Sequence, residues 1–246
     1  MKSEKVYIYG RHALTEAIKN NPSVVKKVFL ADSVQDKELR DSLNHHKIAI
    51  GSTKDQVGVG KDVSHQGIIA TIDTGTLMQE FSEFVKTLIP TKSTCLVLLD
   101  EIQDPQNVGA IIRSAAAFGA SAVLLPTHNQ AHVTGAVVKA SVGMVFAIPL
   151  ILIGNVNTSL RALKDKGFWI YGLAMDGAQP LSKEVFDAPA VFVIGNEGEG
   201  IREKTLELCD IKLAINMHPR TESLNAAVSA GVVLHQWSTQ HQDALL

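Results

Sequence analysis

The chain has 246 residues, 46% of them hydrophobic, with 23 Lys/Arg against 25 Asp/Glu and a formal charge of −2. No run of about 18 apolar residues is present, which excludes a membrane-spanning helix. The near-neutral balance excludes a protein that coats nucleic acid through bulk charge alone. Cys95 and Cys209 form no CxxC pair and Met1–Lys5 has no apolar signal-peptide core, so reduced thiols in a cytoplasmic protein are expected.

In chain order, residues 1–73 alternate short apolar runs with amphipathic segments. Val6–Tyr9 and Val24–Ala31 read as strands around a helix at Arg11–Asn20. Lys37–His45 reads as a helix, and Ile48–Gly51 and Gly67–Ile72 as further strands. This is a small α/β domain, residues 1–73, holding 11 Lys/Arg against 9 Asp/Glu. Asp73-Thr74-Gly75-Thr76 and Pro90-Thr91-Lys92-Ser93 are breakers around a helical pattern at Leu77–Ile89, so residues 74–93 are expected to link two domains. From 94 to 246, strands at Cys95–Leu99, Ala122–Leu125, Phe168–Leu173, Ala190–Ile194 and Ile211–Ile215 alternate with helices. The helices are expected at Val108–Phe118, Val133–Ala140, Asn155–Lys166, Arg202–Leu208 and Leu224–Gln240. Short, wholly apolar strands of this kind suit a parallel sheet buried on both faces.

Three motifs carry chemistry. Asp104-Pro105-Gln106-Asn107-Val108-Gly109 followed by Arg113-Ser114-Ala115 opens a helix just past a strand, where α/β proteins place ligand-handling groups. Gly109 and Arg113 are four apart on one helix face, and helical side chains lean toward the N-terminus. Arg113 is therefore expected to reach over the bare Gly109 toward the turn; a solvated arginine is the plainer alternative. Gly195-Asn196-Glu197-Gly198-Glu199-Gly200 follows a second strand, and its glycines let backbone groups approach a ligand. Its spacing and late position do not fit a dinucleotide fingerprint, which argues against an oxidoreductase. In Ser223-Leu224-Asn225, Ser223 is a plausible helix cap, with Asn225 in the first turn. Asp55 and Asp62 around Gly60-Lys61 spoil a P-loop, and Lys139 spoils a nucleophile elbow at Ser141. The nine histidines are scattered, so no metal site is expected.

These three motifs, in order, resemble the SpoU branch of the SPOUT methyltransferases over about residues 94–240. Ile8-Tyr9-Gly10-Arg11-His12-Ala13 and His65-Gln66-Gly67-Ile68-Ile69-Ala70 resemble the small substrate-binding domain of the bacterial 23S rRNA guanosine-2′-O methyltransferase group. The loop His218-Pro219-Arg220-Thr221-Glu222 and Ala226-Ala227 depart from that group. The resemblance implies an α/β fold: a C-terminal parallel sheet with a deep trefoil knot, plus the small N-terminal α/β domain. It implies a homodimer whose active site draws on both subunits, with no metal. S-adenosylmethionine would be held around Gly195, Ile215, Met217, Ser223 and Leu224. Arg113, Asn107, Glu197 and Asn225 would be the catalytic group.

The expected reaction is methylation of a ribose 2′-hydroxyl in RNA, with a guanosine of 23S rRNA as the first target. A tRNA target and a non-catalytic RNA-binding relative are the alternatives. An arginine is too basic to serve as a literal proton acceptor, so Arg113 is expected to stabilise developing charge. Asn107, Glu197 and Asn225 would orient it and the ribose. Residues 1–73 are expected to select the RNA, with Arg11, His12 and His65 as contacts.

Overall fold

The computed structural model describes residues 5–55, 66–174 and 177–246. The N-terminal part runs β1 (Lys5–Tyr9), α1 (Arg11–Asn20), β2 (Val25–Leu30), α2 (Lys37–His45), β3 (Ala49–Ser52) and β4 (Ile68–Asp73). Its sheet has the order β1-β4-β2-β3, antiparallel at both faces of β4 and parallel between β2 and β3. Asp36 caps α2 by accepting the Leu39 N–H at 2.9 Å, and the apolar stripe Leu39 and Leu43 faces the core.

The segment expected to be a linker carries structure of its own. Thr74–Leu77 is a helical turn (α3), Met78–Glu80 a strand (β5) and Phe81–Thr87 a helix (α4). β5 pairs in parallel with a later strand and becomes the edge of the large sheet. The helical spacing of Leu77–Ile89 hid it, because three strand residues fit either period.

The remainder runs β6 (Cys95–Asp100), α5 (Pro105–Ala117), β7 (Ala122–Pro126), α6 (Gly135–Ala140), β8 (Leu150–Ile153), α7 (Val156–Lys164), β9 (Trp169–Leu173), β10 (Gln179–Pro180), β11 (Ala190–Gly195), α8 (Glu203–Leu206), β12 (Ile211–Ala214) and α9 (Ala226–Gln240). The eight-stranded sheet has the order β10-β12-β9-β11-β6-β7-β8-β5, and every strand pair in it is parallel. β6 is central and wholly buried. Its residues alternate between two cores, as a pleated strand requires. Cys95, Val97 and Leu99 pack with α5, α6 and α9, while Leu96 and Leu98 pack with α4 and α7. The first of these cores continues without a break into the N-terminal part, through Val137, Val145 and Phe146 to Ile8 and Leu14.

Candidate active site

The site forms where β6, β11 and β12 end, at the carboxyl edge of the parallel sheet. In register, Gly195 of β11 stands beside Asp100 of β6. Asp100 is fully buried and accepts three bonds from Arg202: the backbone N–H at 3.1 Å, Nε at 2.9 Å and Nη2 at 2.5 Å. Arg202 Nη1 also lies 3.1 Å from Glu101. A buried carboxylate is tolerated only when paired and hydrogen-bonded in this way. The pair fixes the chain immediately after the glycine-rich loop.

That loop is a tight hairpin. Asn196 and Gly200 exchange both backbone bonds, at 3.0 and 2.9 Å. A Cβ on Gly195 would sit 2.3 Å from the backbone of Gly200 and Ile201, so only glycine fits there. The Asn196 side chain holds the loop at both ends: it accepts the Gly198 N–H at 2.8 Å and donates to the Glu101 carbonyl at 3.0 Å.

The three sequence motifs meet in one hydrogen-bonded chain. Asp104 caps α5 by accepting the Gln106 N–H at 2.8 Å, and Pro105 takes the first helical position. This turns the largely buried Asn107 inward. Asn107 Nδ2 donates to Glu197 Oε1, and Asn107 Oδ1 accepts from Asn225 Nδ2 at 2.8 Å. Asn225 Oδ1 accepts the N–H groups of Ala227 and Val228, at 2.9 and 3.3 Å. The helix cap is thus Asn225, not Ser223, and α9 starts two residues later than Leu224. One side chain therefore caps α9 and holds Asn107.

Beside this chain lies a cavity of about 320 Å³. Gly195, Ile215, Met217, Ser223 and Leu224 all line it, as does Glu197. Leu173, Leu213 and Ser229 also line it and carry no signal in their local sequence. The walls suit a ligand with an apolar aromatic face and a cationic end: apolar side chains from three strands and loops, backbone at the hairpin, and the carboxylates Glu197 and Glu199.

Arg113 stands apart. It is exposed and has no hydrogen bond or ion pair with any described residue. The space over Gly109 that Arg113 was expected to cross is filled. A Cβ there would sit 2.5 Å from the Ala140 Cβ and 2.8 Å from the Val137 carbonyl, so the glycine admits α6 instead. Asn107, Glu197 and Asn225 do not orient Arg113 within this chain.

In the N-terminal part, Arg11 bonds Asp36 at 2.6 Å and Glu38 at 3.2 Å. The Arg11 guanidinium, helped by the Leu39 N–H, holds the Asp36 carboxyl below its usual range. His12 is exposed at the start of α1. His65 lies outside the described residues. Both cysteines are unpaired, and burial pushes the Cys209 thiol up to about 12, too high for a nucleophile. Among the described residues no cluster of three His, Cys, Asp or Glu fits a metal, and no helix is long and apolar enough to cross a membrane.

A parallel α/β sheet with a cavity and a polar relay at its carboxyl edge defines an enzyme that takes a small ligand beside a reaction centre. Residues 94–235 match the SpoU rRNA Methylase family, and residues 7–76 match the RNA 2′-O ribose methyltransferase substrate binding family. The chain belongs to the SpoU rRNA methylase family, and its class is RNA 2′-O-ribose methyltransferase. The 23S rRNA (guanosine-2′-O-)-methyltransferase RlmB of Photobacterium profundum is 33% identical over 241 residues, covering 96% of this chain and 98% of the relative. A putative TrmH family tRNA/rRNA methyltransferase of Staphylococcus epidermidis is 31% identical over 245 residues, covering 97% and 98%. The fold matches the SpoU methyltransferase AviRb from Streptomyces viridochromogenes, solved with AdoMet, at a TM-score of 0.80 and 22% identity over 97% of this chain and 91% of that one.

Proposed function

We propose that the protein methylates the ribose 2′-hydroxyl of a guanosine in 23S rRNA, using S-adenosylmethionine, and that it works as a homodimer in the cytoplasm. The observation that carries this reading is the Asn225–Asn107–Glu197 chain beside a cavity lined by Gly195, Ile215, Met217, Ser223 and Leu224. The Photobacterium profundum relative, named for a 23S rRNA guanosine, supports the rRNA target.

When bound, S-adenosylmethionine supplies an electrophilic methyl group on a sulfonium. Leu173, Leu213, Ile215 and Leu224 would hold its apolar part, and Glu197 with Glu199 its cationic part. The chain's own task is to ready a weakly acidic hydroxyl and keep it in line. Arg113 stabilises the negative charge that develops on the ribose oxygen. With no partner of its own among the described residues, it is free to do so. Asn107 and Asn225 hold Glu197 in one rotamer and so fix the cofactor side of the reaction.

The second subunit has a natural seat. α9 leaves Val228 50% and Val232 38% exposed, beside a groove lined by Phe118, Leu181 and Ile215. An apolar helix face of this kind suits an isologous contact. The knotted path implied by the family resemblance is part of the same reading. Arg11 and His12, with His65, would contact RNA from the N-terminal domain, residues 1–73.

The test is mapping of 2′-O-methyl sites in RNA from cells lacking the protein, joined to methylation of 23S rRNA fragments and tRNA by the purified protein. Loss of one 23S guanosine methylation, restored in vitro, is expected. A lost tRNA methylation with 23S rRNA intact would replace the target, and no lost site would overturn the reading.

A further inference from the structure

The N-terminal part is seated on the catalytic part through two glycines. β1 is the outer strand of the small sheet, and α6 covers its edge, a standard way of closing an exposed strand. The approach is close. A Cβ at Gly135, the first residue of α6, would lie 2.4 Å from the Tyr7 carbonyl oxygen. A few residues on, a Cβ at Gly143 would lie 2.7 Å from the Glu16 Cβ of α1, and Gly143 has φ +79° besides. The same short helix presses on its other side against α5, at Gly109. Two backbone contacts that tolerate no side chain thus run in series, small sheet to α6 at Gly135 and α6 to the helix that carries Asn107 and Arg113 at Gly109, with the Gly143–Glu16 contact beside them. The apolar core is continuous along that path.

We propose that α6 is a rigid strut and that Gly135 is a positioning residue for the reaction. RNA held on the N-terminal part is presented to Arg113 at a fixed distance rather than on a flexible tether. The inference rests on the proposed function only for the RNA it names; the rigidity itself is a property of the fold. A backbone carbonyl cannot swing aside as a side chain can, so a larger residue at Gly135 must shift β1 off α6. Displacement of a bound reactant by about 1 Å is enough to cost a large factor in rate.

The experiment measures a distance and a rate on the full-length protein. Spin labels are placed at the exposed positions Asn44→Cys on α2 and Arg161→Cys on α7, in a Cys209→Ala background. The labelled protein is diluted with unlabelled protein so that pairs between subunits do not contribute. The wild-type contact is expected to give one narrow distance, unchanged by a 23S rRNA fragment. Gly135→Val is expected to broaden that distance and to lower the single-turnover methylation rate at saturating RNA about tenfold, with S-adenosylmethionine affinity within about twofold. A broad wild-type distribution overturns the strut, and that arm needs no folded variant. A narrow distance in Gly135→Val, or a methylation rate that does not move, overturns it as well. If the labelled protein, narrow in distance, methylates no RNA, the functional reading fails while the strut stands.

Discussion

The two sides of the reaction centre are built differently. On the cofactor side, three distant motifs are tied together inside one chain: Asn225 to Asn107, Asn107 to Glu197, and the hairpin to Glu101 through Asn196. On the side proposed to meet the ribose stands Arg113, exposed and without a partner among the described residues. Under the proposed function, the difference separates the half of the chemistry that folding preorganises from the half that RNA or a second subunit would complete. A group that must bind each new substrate has to stay unpaired until that substrate arrives, whereas a pocket that discriminates one small molecule gains from rigidity.

Substitutions can break this contrast from either side. The largest effect on stability is expected at Asp100→Ala, which leaves Arg202 without its buried partner. The loss is about 3 kcal/mol from the three charge-assisted hydrogen bonds to Asp100, while Arg202, 44% exposed, keeps Glu101 at 3.1 Å. Urea unfolding measures it, and the cofactor cavity should weaken with it. Asn107→Ala is next. It removes the hydrogen bonds to Glu197 and Asn225, at about 2 kcal/mol for the two, and a double-mutant cycle with Glu197→Gln should show clear coupling. Asn225→Asp is subtler. It keeps the acceptor that caps α9 but removes the donor to Asn107, so stability should change by about 1 kcal/mol or less while methylation falls about tenfold. The smallest effect belongs to the RNA side. Arg11→Ala should lower the salt dependence of RNA binding by at most about one unit of slope, because Asp36 and Glu38 already offset its charge.

The same contrast explains what was legible in the sequence. Most strands and helices are readable from period and punctuation: α1 and α2 fall on the expected residues, and β6, β7, β11 and β12 shift by no more than a residue. The motifs are readable too, because they fall in order just past strand ends, where α/β proteins place ligand-handling groups. β8 was missed because Leu150–Ile153 is a four-residue apolar run, which period alone cannot assign. The Asp100–Arg202 bond was invisible for another reason. Its partners are 102 residues apart and are joined only by sheet order. Ser223 and Asn225 are both good caps by composition; the choice between them was settled by the tertiary bond from Asn225 to Asn107. Helix geometry alone puts Arg113 over Gly109 and cannot show that α6 fills that space.

The most direct measurement pairs calorimetry of S-adenosylmethionine binding with single-turnover methylation, on wild type and Arg113→Ala. The expected result is cofactor affinity within about twofold of wild type and a methylation rate lower by about 100-fold or more. Loss of cofactor binding in Arg113→Ala, or methylation close to the wild-type rate, would contradict the division between a prebuilt cofactor side and an open ribose side.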